Sequence, residues 1–191
     1  MKKINLQFGL ITIFVLLAAF SRTLPHIWNF SPICAMGLFG AAHYDKQWKA
    51  LLIPLSATWL SDLFINNVLF KQFFPVFTWF YDGFYWQYGT YLLIGVVGYF
   101  LFNHKITVAK VLGGSLIATV LFFLISNFGV WAGSAMYGNN FSGLLECYAA
   151  GLPFLKGTLG GNLFYSTVFF GGYYLLQKQF TALQLPYLNY A

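Results

Sequence analysis

Asp62, in ATWLSDLFINN, is a carboxylate set inside an apolar stretch. At bilayer depth such a group costs roughly 2.5 to 3.5 kcal/mol on insertion scales, so it calls for a cation, a ligand or a wet cavity. The other reading is a hydrated position at the interface. Asn66 follows at i+4 and shares its helical face. Arg22 is the single arginine of the chain and stands where a first apolar stretch ends. It is the natural counter-charge, because an Arg–carboxylate pair offsets the desolvation of both partners. Behind it, RTLPHIWNF uses Pro25 to close the helix and then presents His26, Trp28 and Asn29. An imidazole there can bind a ligand or a metal, although a lone histidine beside proline is also what a hydrated loop looks like.

Further along, FLISNFGVW puts Asn127 and Trp131 four residues apart, an amide and an indole on one face. The segment after it holds Tyr137, Asn139, Asn140, Tyr148 and Glu146, the only glutamate. FFPVFTWFYDGFYWQY, residues 73–88, carries Trp79 and Tyr81 among many rings. That composition suits an interfacial aromatic belt or a lid over a ligand. GTLGG places Gly157 and Gly161 at the spacing used for close helix contact, and Asn162 beside them reads first as interhelical glue. The candidate ligand-binding set is therefore Arg22, His26, Asn29, Asp62, Asn66, Trp79, Tyr81, Asn127, Trp131 and Glu146. Acid–base catalysis would need Asp62, His26 and Glu146 to converge. No nucleotide loop, zinc-protease or nucleophile-elbow motif is present. Cys34 and Cys147 make neither a disulfide framework nor a zinc pattern.

The elements that must position these residues follow from composition. The chain is 59% hydrophobic and only 7% charged, whereas a soluble domain carries about a quarter charged residues. Apolar periods and breaks predict an all-α, six-helix membrane protein forming one transmembrane domain over residues 1–191. The helices are expected near Ile4–Thr23, Ser31–Tyr44, Trp48–Phe70, Tyr88–Phe102, Val108–Trp131 and Phe154–Leu176. A loop of about twenty residues, Ala132 to Leu152, is expected before the last helix, a length that points to function. The second helix is short, with Gly37, Gly40 and Ala41 offering small packing surfaces.

Met1-Lys2-Lys3 ahead of an apolar run resembles a signal peptide, but no small-residue cleavage site follows, so a retained first helix is expected. Lys2, Lys3, Lys46, Lys49, Lys105, Lys110 and Lys178 fall on one side of the six-helix plan, and Arg22, Lys71 and Lys156 on the other. By the positive-inside rule both termini are cytoplasmic, in a multi-pass protein of the cytoplasmic (inner) membrane. The basic residues form no stripe, so nucleic acid is not an expected partner. The polar features then gather at the outer end.

A first helix ending in Arg, followed by P-H-x-x-N-F-x-P-I and a short second helix rich in small residues, resembles the S-components of energy-coupling-factor vitamin transporters. The resemblance covers essentially the whole chain. It implies a six-helix bundle that is not an enzyme and has no resident cofactor. The ligand would be a vitamin-like molecule held near the outer face by the loops after helices one, three and five. The partners implied are the lipid bilayer and an energy-coupling transmembrane and ATPase module. A narrower resemblance is to the solitary cobalamin-handling S-components, on His26 and Asp62. That implies a cobalt-containing ligand and action without the module. Two features differ from those patterns: residues 71–87 hold no cysteine to ligate cobalt, and helix one lacks the Ala-x-x-x-Ala docking pattern. The rival expectations are a membrane-embedded enzyme and a ligand-free assembly protein.

Overall fold

The computed structural model describes residues 6–103, 105–180, 183 and 189–190. Lys2, Lys3, His104 and the expected Ile4 start of the first helix lie outside the described residues. The protein is all-helical. Helix α1 is Leu6–Ser21, α2 Ile33–His43, α3 Gln47–Phe64, α4 Phe84–Leu101, α5 Val108–Gly133 and α6 Phe141–Ser166. A π-helical turn, Ile65–Leu69, extends α3, and another, Thr167–Gly171, joins α6 to α7, Gly172–Gln179. A short parallel pairing aligns Lys105 with Asn189 and Ile106 with Tyr190.

Helix α2 is the centre of the bundle. Ten of its 11 residues are buried, and it packs against α1, α3, α4, α5 and α6. Small residues let its neighbours approach. A Cβ on Gly40 would sit 3.0 Å from Pro54 Cγ and 3.1 Å from the Ala50 carbonyl, while one on Gly98 of α4 would meet Ala41 Cβ at 2.9 Å. At about 1.5 Å per residue, α2 is roughly 16 Å long, well short of its neighbours. Its first turn therefore stops inside the bundle, and the segment 22–32 fills only part of the space beyond it.

The two ends of the bundle are distinct. At one, the start of α1, the end of α2 and the start of α3 meet: Phe8 packs on Tyr44 with centroids 5.9 Å apart, Thr12 and Tyr44 hydroxyls lie 3.1 Å apart, and Lys49 sits over the Phe8 ring at 4.9 Å. Nearby, Phe39 and His43 are enclosed by Phe169, Phe170 and Tyr173 from the far part of the last helical run. The ends of α1, α3 and α5 and the starts of α4 and α6 gather at the opposite end, which holds the site.

Several boundaries differ from the sequence expectation. The expected loop from Ala132 to Leu152 is mostly helix, because Asn140 caps α6 by accepting the Gly143 N–H at 2.8 Å. Pro153 lies inside that helix instead of before it. Residues 134–140 are all that remain of the connection. The fourth helix begins at Phe84 and not at Tyr88, directly after Gly83, which holds φ +76° as the residue before the first turn. Among the described residues, one helix, Val108–Gly133, is long and apolar enough to cross a bilayer; Leu6–Ser21 and Ile33–His43 are apolar but shorter.

Candidate functional site

Arg22, one residue past α1, reaches across to α3. Its Nη2 lies 2.7 Å from Asp62 Oδ1, and its Nη1 donates to Ser61 Oγ at 2.6 Å and to the Thr58 carbonyl at 3.4 Å. The second carboxylate oxygen of Asp62 accepts from the Tyr88 hydroxyl at 2.6 Å. Both side chains are largely buried, at 16% and 9% exposure, so each charge is neutralised and hydrogen-bonded where water is scarce. Gln87 extends the network. Its Oε1 accepts from Tyr81 at 2.9 Å and from Tyr91 at 3.3 Å. With its oxygen occupied, the Gln87 amide nitrogen remains as a donor.

This network flanks a cavity of about 920 Å³. The segment after α1 gives it Arg22, Thr23, Leu24, Pro25, His26, Trp28, Asn29 and Ser31. Ile33 and Cys34, the first turn of α2, lie at its buried part together with Tyr91, Thr158 and Asn162. Helix α3 contributes Ile65 and Leu69 from its π turn, and α4 contributes Gln87. Helix α5 adds Phe122, Phe123, Ser126, Asn127 and Val130, and α6 adds Cys147, Gly151, Phe154 and Leu155. The volume corresponds to the turns of helix that α2 does not have. Aromatic rings form part of the walls: Tyr91 and Phe122 stack 4° from parallel with centroids 5.8 Å apart, and Trp28 stacks on Phe154 at 5.8 Å.

The segment 22–32 is held by backbone contact with α6. A Cβ on Gly157 would strike the Trp28 carbonyl oxygen, and one on Gly161 would lie 2.7 Å from the Ser31 nitrogen. The glycine pair expected to join two helices thus joins a helix to a loop. Asn29 takes a left-handed conformation, φ 59°, which asparagine tolerates better than most residues. His26 is exposed at the rim, and its Nδ1–H donates to the Leu24 carbonyl at 2.7 Å, leaving Nε2 as an acceptor.

Of the expected site residues, Arg22, His26, Asn29 and Asn127 line the cavity. Asp62 stands behind Arg22 and is not itself in the lining. Asn66 is buried in the π turn, outside the lining. The buried part of the lining is formed by Cys34, Tyr91 and Asn162 and not by Asp62 and Asn66. Trp131 anchors the α5–α6 connection instead, its indole donating to the Gly138 carbonyl at 2.9 Å. Glu146 is exposed and accepts from Ser142 at 3.2 Å.

The aromatic segment expected as a lid folds along α3. Trp79 stacks on Trp59 with rings 14° from parallel, its carbonyl accepts the Trp59 indole N–H at 3.2 Å, and Asn67 brackets Thr78 with two hydrogen bonds of 2.9 and 2.7 Å. Tyr81 reaches the site only through Gln87. Burial, with the Asp62 carboxylate nearby, pushes the Tyr81 phenol up and keeps it protonated as a donor.

Gln87, Tyr91, Phe122, Trp28 and Asn162 are among the lining residues that sequence reasoning left out of the site. One signal for them was present: Gln87 and Tyr91 stand four apart, on one helical face. His26 and Cys147 both line the cavity, but among the described residues no three His, Cys, Asp or Glu side chains come together.

Fold and site together define an all-α protein with a large, aromatic-walled cavity open at one end of the bundle. The chain belongs to the Family of unknown function (DUF6580), whose model matches residues 2–183. No curated protein and no solved structure matches the chain.

Proposed function

We propose that this is a multi-pass protein of the cytoplasmic membrane that binds a vitamin-like small molecule from the outer face and delivers it inward. The observation that carries the reading is the cavity of about 920 Å³ beside a neutralised Arg22–Asp62 pair. Its size falls within the range of sites that enclose whole small molecules, about 300 to 1,000 Å³. Its lining combines aromatic rings with polar side chains, Gln87, Asn127 and Asn162 among them.

Six helical segments with both termini inside account for the rest of the surface. Large apolar side chains are exposed along α1 (Ile13, Leu17, Phe20), α4 (Leu92, Leu93, Phe100), α5 (Leu112, Leu116, Val120, Leu124) and α6 (Leu152, Phe164). Exposed apolar area on this scale suits lipid. In this arrangement α2 is the buried half of one crossing and the segment 22–32 completes it. Lys46, Lys49, Lys105 and Lys178 then face the cytoplasm. Binding rather than bond-breaking is the proposed activity, since Asp62, His26 and Glu146 each engage separate partners. Delivery proceeds either alone or on an energy-coupling module.

Native mass spectrometry of the purified protein should reveal a small molecule that leaves at low collision energy. Uptake of radiolabelled cobalamin, riboflavin and thiamine by auxotrophic cells, normalised to folded protein, should rise for one of them. An empty protein and no uptake of any would sink the reading.

A further inference from the structure

The deep wall of the cavity contains an acceptor without a donor. Asn162 is 1% exposed and lines the cavity, and its Oδ1 has no hydrogen-bond partner. The orientation of its amide is fixed by the neighbouring helix. Thr119 gives its one hydroxyl proton to the Ser115 carbonyl at 2.8 Å, so its oxygen can only accept from Asn162, whose Nδ2 lies 2.8 Å away. The nitrogen of Asn162 must therefore face Thr119. The Cys34 thiol lies beside Asn162, but a thiol is a weak donor and it does not satisfy the oxygen. A buried carbonyl left without a donor is costly and uncommon, and it calls for one from elsewhere.

Gln87 is the complement. Its oxygen is occupied by Tyr81 and Tyr91, which leaves its amide nitrogen as a donor in the same lining. Arg22, also in the lining, uses only some of its five N–H groups on Asp62, Ser61 and Thr58. The cavity thus has a buried acceptor without a donor on α6 and donors on α4 and after α1, with the stacked pair Tyr91–Phe122 in the same wall.

Resting on the proposed binding function, we infer that the ligand is a flat, uncharged heteroaromatic ring system that presents an N–H donor to Asn162 Oδ1 and a carbonyl edge to Gln87 and Arg22. The neutralised Arg22–Asp62 pair leaves no net charge for a strongly anionic ligand to match. The ring faces supply area on which a planar ligand can stack.

The test uses two probes of one shape. Lumazine carries two ring N–H groups beside carbonyls; 1,3-dimethyllumazine keeps the carbonyls and loses both donors. Calorimetric titration of the full chain in detergent should show lumazine binding on the order of tenfold to a hundredfold tighter, the range of one hydrogen bond to an otherwise unpaired buried group. Asn162→Leu should abolish the difference. Thr119→Val is nearly isosteric and frees the Asn162 amide to turn, so it should shrink the difference and tighten the dimethyl compound; it decides the matter if Asn162→Leu does not fold. Equal affinity for the two probes, preference for the methylated one, no lumazine binding, or discrimination that survives in both variants overturns the inference. Equal binding leaves the cavity a ligand site, whereas the failure of binding as a function is read separately, from native spectra and uptake.

Discussion

Arg22 and Asp62 meet at 2.7 Å across the ends of α1 and α3, with Tyr88 on the other carboxylate oxygen. Each charge is tolerable in its place because the other is there. Replacing either with alanine strands the remaining charge, a loss of about 3 to 5 kcal/mol where the site is dry. Arg22 lines an open cavity, so the lower part of that range applies to loss of Asp62. Thermal unfolding in detergent should fall clearly for R22A and D62A, and the swapped pair R22D/D62R should regain part of it. Two single variants as stable as the parent would show that the pair contributes nothing.

Gly161 and Gly157 set how close α6 comes to the cavity loop. Gly161→Ala places a methyl 2.7 Å from the Ser31 backbone nitrogen, and backbone cannot swing aside as a side chain can. A loss of about 1 to 3 kcal/mol follows, the usual range for overpacking. Gly160→Ala, whose Cβ meets only the Phe30 ring at 3.6 Å, should be harmless. The two melting curves, run together, separate contact from helix propensity.

Trp79 rests on Trp59 and Trp28 on Phe154. Trp28→Ala should therefore speed ligand release, since the ring is part of the cavity wall, while Trp79→Ala should leave the dissociation rate unchanged. Stopped-flow release of the co-purified ligand measures both. Faster release from the Trp79 variant alone would restore a lid role for the aromatic segment.

Orientation is open to labelling in a background lacking Cys34 and Cys147. A cysteine at Gln72 or Asn139 should react with an impermeant maleimide in intact cells, and one at Lys46 only after permeabilisation. Outside labelling at Lys46 would overturn the proposed orientation.

Asp45 lies at the opposite end, where its hydrogen bond from Lys49 at 2.7 Å holds its carboxyl below the usual carboxylate range. A depressed folded value means that the pair stabilises above the unfolded value and that this contribution disappears as pH falls through the folded one. The pair is exposed, so the effect is a few tenths of a kcal/mol. Lys49→Met should flatten the acid limb of the stability profile below the ordinary carboxylate value. An unchanged limb would show that the pair does not couple to folding.

The charged pair was legible from sequence because the chain has one arginine and one mid-helix aspartate, and only facing helix ends could reconcile them. The helical class was legible from the apolar runs. The cavity was not. It arises because α2 stops short, and a missing turn leaves no residue to read. The aromatic segment misled because ring content reports affinity for apolar surface but not which surface, and Trp59 was nearer than any ligand. Asn162 could be recognised as interhelical glue, but its free oxygen depends on Thr119 donating elsewhere. That fact belongs to three-dimensional neighbours.

The helical run from Phe141 to Gln179 carries a mechanical consequence. Through Gly157 and Gly161 it grips the backbone of the cavity loop, and through Phe170 and Tyr173 it grips His43 at the far end of α2. The second contact begins within the π turn Thr167–Gly171, which supplies Phe170. Such a turn carries one surplus residue relative to the α-helical ladder, a feature found mostly as single turns within longer helices. One helical run therefore ties the backbone of the cavity loop to the buried end of α2, so a substitution in either contact is carried by an element that also makes the other.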